Sequence, residues 1–228
     1  MTARIPLPVL ACLAACGKSP AAAPAPAPPD PPPAGTVMVM NDVPIRAAEV
    51  DEIASAYASL EPQDTPAQLR RLALSNSFFP RIAAASIAPE RRAAALDLAR
   101  SYREALEKGG LPSGPLAGPM EVELTGVFLD LGFEFWRVAL GLEPGTWSPV
   151  FETPGSFHLL RVKSRKESSL SSLTRFTIGT FDFPYLDGAT VRTDVEAALD
   201  RSHLKILDES WRDAVPPAWR YRLHVENP

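Results

Sequence analysis

The sequence predicts an α+β fold, with helices first, a mixed αβ module second and a tail of one helix and a final strand. Two observations carry this. Between Arg46 and Lys108 apolar residues recur at intervals of three and four, the period of helices that bury one face. From Leu111 onward glycine and proline become frequent, that period weakens, and short alternating runs suited to strands replace it. A third observation separates this folded part from its N-terminus: eight of the 25 prolines fall within residues 19–35.

Composition bounds the function. The chain has 228 residues, 46% hydrophobic and 22% charged, enough for one good-sized core or two small ones. A net charge of −4 argues against a nucleic-acid partner. Only Cys12 and Cys16 are present, which excludes a disulfide scaffold and a cysteine-based zinc site. His158, His203 and His224 lack metal-ligand spacing, so neither a metal nor a cofactor is expected.

Residues 1–15 read as a signal peptide. Arg4 supplies the positive start, and the apolar stretch Ile5–Ala15 is too short to span a bilayer as a helix, which takes about 20 residues. It ends Leu13-Ala14-Ala15-Cys16, which resembles the bacterial lipobox. That resemblance implies cleavage before Cys16, acylation of its thiol and new N-terminus, and a membrane attachment through the lipid. Gly17 follows, not aspartate, so the expected location is extracytoplasmic, on the outer membrane where two membranes exist. The rest of 16–35 is a proline-rich linker, a polyproline II spacer of roughly 50 Å at ~3.1 Å per residue.

The elements follow in order. Thr36–Met40 reads as a strand before an Asn41-Asp42 turn. Val50, Ile53, Tyr57 and Leu60 mark a first helix from Arg46 to Leu60. Thr65-Pro66-Ala67-Gln68 is a helix start, with a capping threonine, proline at the first helical position and a glutamine able to reach back. That helix carries Leu69, Leu72, Phe79 and Ile82, and Pro80 should kink or divide it. A third helix opens at Pro89-Glu90, with Ala95, Leu98, Ala99, Tyr102 and Leu106 inside and Arg91, Arg92, Asp97, Arg100 and Arg103 outside, and stops at Gly109-Gly110. Met120–Phe128 is strand-like, with Glu121 and Glu123 on its exposed face, and Phe133–Leu142 is a short helix stopped by Pro144-Gly145. Trp147–Phe151 and Phe157–Lys163 read as strands around a Thr153–Ser156 turn. Leu173–Phe183 alternates as a strand, Val191–Leu199 is helical, and Trp219–Val225 alternates as a final strand. Asp208, Trp211, Pro216-Pro217 and Trp219 are expected to build a packed C-terminal cap.

The stretch 131–162 carries a resemblance. Phe135 lies on a short helix, followed by Leu142-Glu143-Pro144-Gly145-Thr146-Trp147-Ser148-Pro149-Val150 and then by Thr153, Gly155 and Phe157-His158-Leu159-Leu160. This resembles the C-terminal half of the parvulin (PpiC-type) peptidyl-prolyl cis-trans isomerase domain. Val37–Asp51 is similar to the opening of SurA-like and PrsA-like foldases, and the helix Glu90–Lys108 resembles the family's first long helix. The resemblance implies a SurA-like helical chaperone region over 36–88, a reduced parvulin-like module with a small antiparallel sheet over 89–186, and a tail, 187–228, that packs on the N-terminal helices. It implies isomerisation of prolyl bonds in unfolded or nascent client polypeptides. Phe135 and Leu131 would form the apolar cup, with Leu140 and Phe157 as further substrate contacts, and His158 and Thr153 the polar floor of the catalytic site. Two family features are missing: no histidine precedes His158, and the acidic or cysteine residue of the segment after the long helix is not found. The family's histidine-bearing first strand must therefore be supplied from elsewhere, and Arg175–Phe183 is the expected supplier. The alternatives are a holdase that keeps the peptide groove without catalysis, and a lipid-anchored interaction domain.

Overall fold

The two ends of the folded chain meet in one sheet. The computed structural model describes residues 31–110 and 118–225. The signal peptide, Cys16 and the linker as far as residue 30 lie outside the described residues. Strand β1 (Thr36–Met40) turns through Asn41 and Asp42, both at positive φ (48° and 64°), into β2 (Val43–Arg46). Left-handed backbone at both turn residues matches the twist of a tight hairpin. The other edge of β1 pairs antiparallel with β7 (Leu204–Ile206). Neither β2 nor β7 is evident from the sequence. One has four residues and runs straight into a helix; the other has three, too few for alternation to show.

Helix α1 (Ala47–Ala58) buries Val50, Ile53, Ala54 and Tyr57, the expected stripe. The start of α2 (Pro66–Ala73) is a full capping box: Gln68 N–H donates to Thr65 Oγ1 at 3.3 Å and Thr65 N–H to Gln68 Oε1 at 2.8 Å. Pro80 divides the helix through a wider turn. Leu74–Phe78 is a π-turn in which Phe79 N–H reaches Leu74 O, and α3 (Phe79–Ile87) follows. Proline has no N–H, and its ring would strike the Asn76 carbonyl in a regular helix; the wide turn makes room. Helix α4 (Pro89–Glu107) buries Ala95, Ala99 and Tyr102. Two of its arginines expected in solvent lie half-buried instead, and Arg103 Nε donates to Ser148 O at 2.8 Å. A long apolar stem lets an arginine lie along a neighbouring element. Helix α7 (Val191–Leu199) rests against α3, and the 3₁₀ turn Glu209–Ala214 against α2, with Trp211 buried beneath the Arg70 guanidinium.

The second sheet has the order β3-β6-β5-β4 and is antiparallel throughout. Its strands are β3 (Val122–Gly126), β4 (Phe151–Thr153), β5 (Ser156–Lys166) and β6 (Arg175–Pro184). Strand β6, which contains Arg175–Phe183, the expected supplier of the missing first strand, pairs with β5 from Ser156↔Pro184 to Lys166↔Arg175. Alternation sends Phe157, Leu159, Phe181 and Phe183 into a core shared with the helices. The opposite face carries Leu160, Val162, Phe176 and Ile178, covered by α5 (Phe128–Leu131) and α6 (Phe133–Leu140) through Trp136 and Ala139. Glu121 and Glu123 are not simply solvated: they pair with Arg161 and Lys163 across the sheet.

Two strand assignments are corrected. Trp147–Phe151 does not form a continuous strand; Trp147 makes an isolated bridge to Arg161 and the ladder begins at Phe151. Pro149 lacks the N–H that would continue it. Trp219–Val225 is no strand. Pro217–Arg222 forms helix α8, started by Pro217, and its apolar pair Trp219 and Leu223 lies four residues apart, a helical interval that apolar alternation concealed. Among the described residues no helix is long and apolar enough to cross a membrane.

The Pro154-Gly155 turn requires glycine. Gly155 has φ +96°, and a Cβ there would lie 2.7 Å from Val191 Cγ2. Gly155→Ala is expected to destabilise the chain by about 1–3 kcal/mol, read as a lower urea midpoint at unchanged slope.

Candidate functional site

The tight β4–β5 turn sets the first contact. Thr153 pairs with Ser156 and Phe151 with His158, so a five-residue separation brings two side chains to one face. Thr153 Oγ1 lies 2.7 Å from His158 Nε2. Helix α6 supplies the second contact. Trp136 and Ala139 bury its inner side, and Arg165 donates to the carbonyls of Ala139, Leu140 and Leu142, satisfying the end of the helix. Phe135 is thereby presented edge-on to the His158 ring, with centroids 4.8 Å apart and planes at 66°. Phe151 completes the aromatic wall, 5.4 Å from Phe135 and 5.3 Å from His158.

The third contact comes from β6. In the β5–β6 register Asp182 stands opposite His158, with Oδ1 3.4 Å from Nδ1, and Ser156 Oγ donates to the same carboxylate. His158 is 6% exposed and its Nδ1 makes no hydrogen bond. Burial holds the imidazole below its usual 6.5, against a smaller upward pull from Asp182, so the ring is neutral at pH 7. The unfolded chain takes up the proton first, so the full contribution is present above about pH 6.5 and is lost as pH falls through that value towards the lower folded one. Urea stability is expected to fall between pH 7 and 5 more steeply in the native chain than in His158→Gln.

Of the residues expected at a site, Phe135, Thr153 and His158 converge. Leu131 and Leu140 are half-buried on the same side of the sheet, packed into its second core. Phe157 is a correction: it is 3% exposed on the opposite face, under the Arg92 guanidinium and beside Tyr185, because its neighbour His158 takes the site face. Asp182, Ser156 and Phe151 are additions. Their signal lies in register: once Phe181 and Phe183 are read as core, Asp182 between them must share a face with His158. Apolar surface continues beyond the site. Val122 and Leu124 are 52% and 38% exposed and pair with Thr180 and Ile178, on the His158 side.

The arrangement sets a neutral imidazole, a hydroxyl and a carboxylate at the edge of an apolar wall. Among the described residues no group of three or more His, Cys, Asp or Glu is placed to hold a metal ion. No protein-family model, curated protein or solved structure matches the chain.

Proposed function

We propose that this chain is a membrane-anchored foldase of parvulin type, a peptidyl-prolyl cis-trans isomerase acting on prolyl bonds of unfolded extracytoplasmic proteins. The observation that carries the reading is the Phe135–His158–Thr153 contact, an aromatic edge and a hydroxyl on one buried neutral imidazole. Rotation about a prolyl bond faces a barrier of about 18–20 kcal/mol and needs no nucleophile or proton transfer. A site has only to bind the twisted amide better than the planar one. In this reading Phe135, Leu131 and Phe151 hold the proline ring, and Thr153 and His158 form the polar floor. Asp182, on the strand that stands in for the family's first, supplies the polar group that a second histidine would give.

A holdase without catalysis is the second reading. The carboxylate of Asp182 in place of a histidine, and the exposed Val122 and Leu124, favour it. A protease-coupled prolyl-peptide assay decides between them. Acceleration of the slow phase supports the isomerase. No acceleration, together with suppressed aggregation of an unfolded client, selects the holdase.

Anchoring belongs to the same proposal. Cys16 carries the lipid and residues 17–35 form the linker between the membrane and the folded part. Cys16→Ser is expected to leave the protein soluble or unprocessed on fractionation; unchanged membrane association would contradict the anchor.

A further inference from the structure

A second polar group lies behind the Thr153–His158 pair. Arg92 on α4 donates from Nε and Nη2 to the two carboxylate oxygens of Glu152, at 2.7 and 2.8 Å. Tyr185 Oη donates to Glu152 Oε1 at 3.0 Å and accepts from Gly155 N–H at 3.2 Å. The backbone closes the ring, with Tyr185 N–H and Leu186 N–H donating to Gly155 O at 2.9 and 3.1 Å. The Glu152 side chain is 11% exposed, and Tyr185 is fully buried. Burial and the Glu152 charge push the Tyr185 phenol up, so it stays a donor.

The placement of this group gives it a task. Glu152 immediately precedes Thr153, and successive strand side chains point to opposite faces. Fixing Glu152 towards α4 fixes Thr153 towards His158. The fork of Arg92 sets the carboxylate in orientation as well as distance. Tyr185 then ties that carboxylate to Gly155, two residues beyond Thr153, so the turn is held on both sides of the hydroxyl. A buried ion pair adds little net stability over apolar groups of the same shape, so strength alone does not account for it.

We infer that Arg92, Glu152 and Tyr185 are positioning residues that hold the Thr153 hydroxyl on His158 Nε2 and tie the site to helix α4. Their effect on turnover rests on the isomerase reading; their effect on His158 does not.

The test uses the full chain with Tyr185→Phe, which removes only the bridging hydroxyl, and Arg92→Lys, which keeps the charge and loses the fork. The first readout is the ¹⁵N spectrum and titration midpoint of the His158 ring. Both variants are expected to move the Nε2 resonance towards its position in Thr153→Ala, and to add nothing when combined with Thr153→Ala. The second readout is prolyl-peptide turnover, expected to fall about tenfold, in kcat more than in KM. An unmoved His158 spectrum in folded variants would overturn the inference. So would a shift of equal size in the Thr153→Ala background. If the native chain shows no isomerisation, the functional reading fails, and the His158 spectrum still decides the positioning role.

Discussion

Phe135→Ala is expected to lower prolyl-peptide isomerisation by about tenfold to a hundredfold while the chain stays folded. Burying a proline ring against a phenylalanine withdraws apolar surface worth about 1.5–3 kcal/mol, and each 1.36 kcal/mol of lost transition-state binding is tenfold in rate. Phe135 is half-buried, so its removal should cost less stability than the about 3–5 kcal/mol of a fully buried phenylalanine. His158→Ala should reduce the rate less, because no proton transfer is demanded of the imidazole. The check is the protease-coupled assay beside a thermal melt. Full activity in a folded Phe135→Ala protein would remove the ring from the site.

Trp136→Ala, one residue further on, is expected to do the opposite: a loss of about 3–5 kcal/mol of stability, with any loss of activity following from unfolding. The Trp136 ring is wholly buried between α6 and the sheet, edge-on to Phe128 with centroids 5.5 Å apart, and its Nε1 donates to Ser171 O at 3.2 Å. Truncation leaves a cavity above Leu160, Val162, Phe176 and Ile178 and removes one of two hydrogen bonds to the Ser171 carbonyl, which keeps the Thr174 N–H at 3.1 Å. Against a typical total of about 5–15 kcal/mol, the loss is large enough to see as a lower urea midpoint. On the proposed reading, the adjacent pair separates two roles of α6, packing by Trp136 and recognition by Phe135.

Local signals in the chain were legible where one stretch of sequence fixed them. The Thr65–Gln68 capping box, the stripe of α1 and the glycine turns at Gly145 and Gly155 each depend on residues within a few positions. Long-range pairing was less legible. The three residues of β7 acquire meaning only beside β1, more than 160 positions earlier. Helix α8 reads as a strand in sequence because Trp219, Tyr221, Leu223 and Val225 alternate while Trp219 and Leu223 also satisfy the helical interval, and the proline at 217 decides between them. At the site, Phe135, Thr153 and His158 could be selected from a contiguous stretch. Asp182 could not, because a carboxylate between two phenylalanines declares its face only once the register with β5 is known. Phe157 lies away from the site for a related reason: adjacent residues in a strand cannot share a face.

On the proposed reading a prolyl residue occupies the Phe135–His158 corner. The most direct measurement is a titration of the full chain with an Ala-Pro-Phe peptide, followed by ¹H–¹⁵N and aromatic ¹H–¹³C spectra. Peptide cis/trans exchange cross-peaks are recorded in the same sample. The resonances of Phe135, Phe151, Thr153 and His158 are expected to shift together, and catalytic amounts of protein to bring the peptide's cis and trans signals into exchange. Exchange without shifts at these four residues, or shifts confined to the opposite face around Phe157, would contradict it.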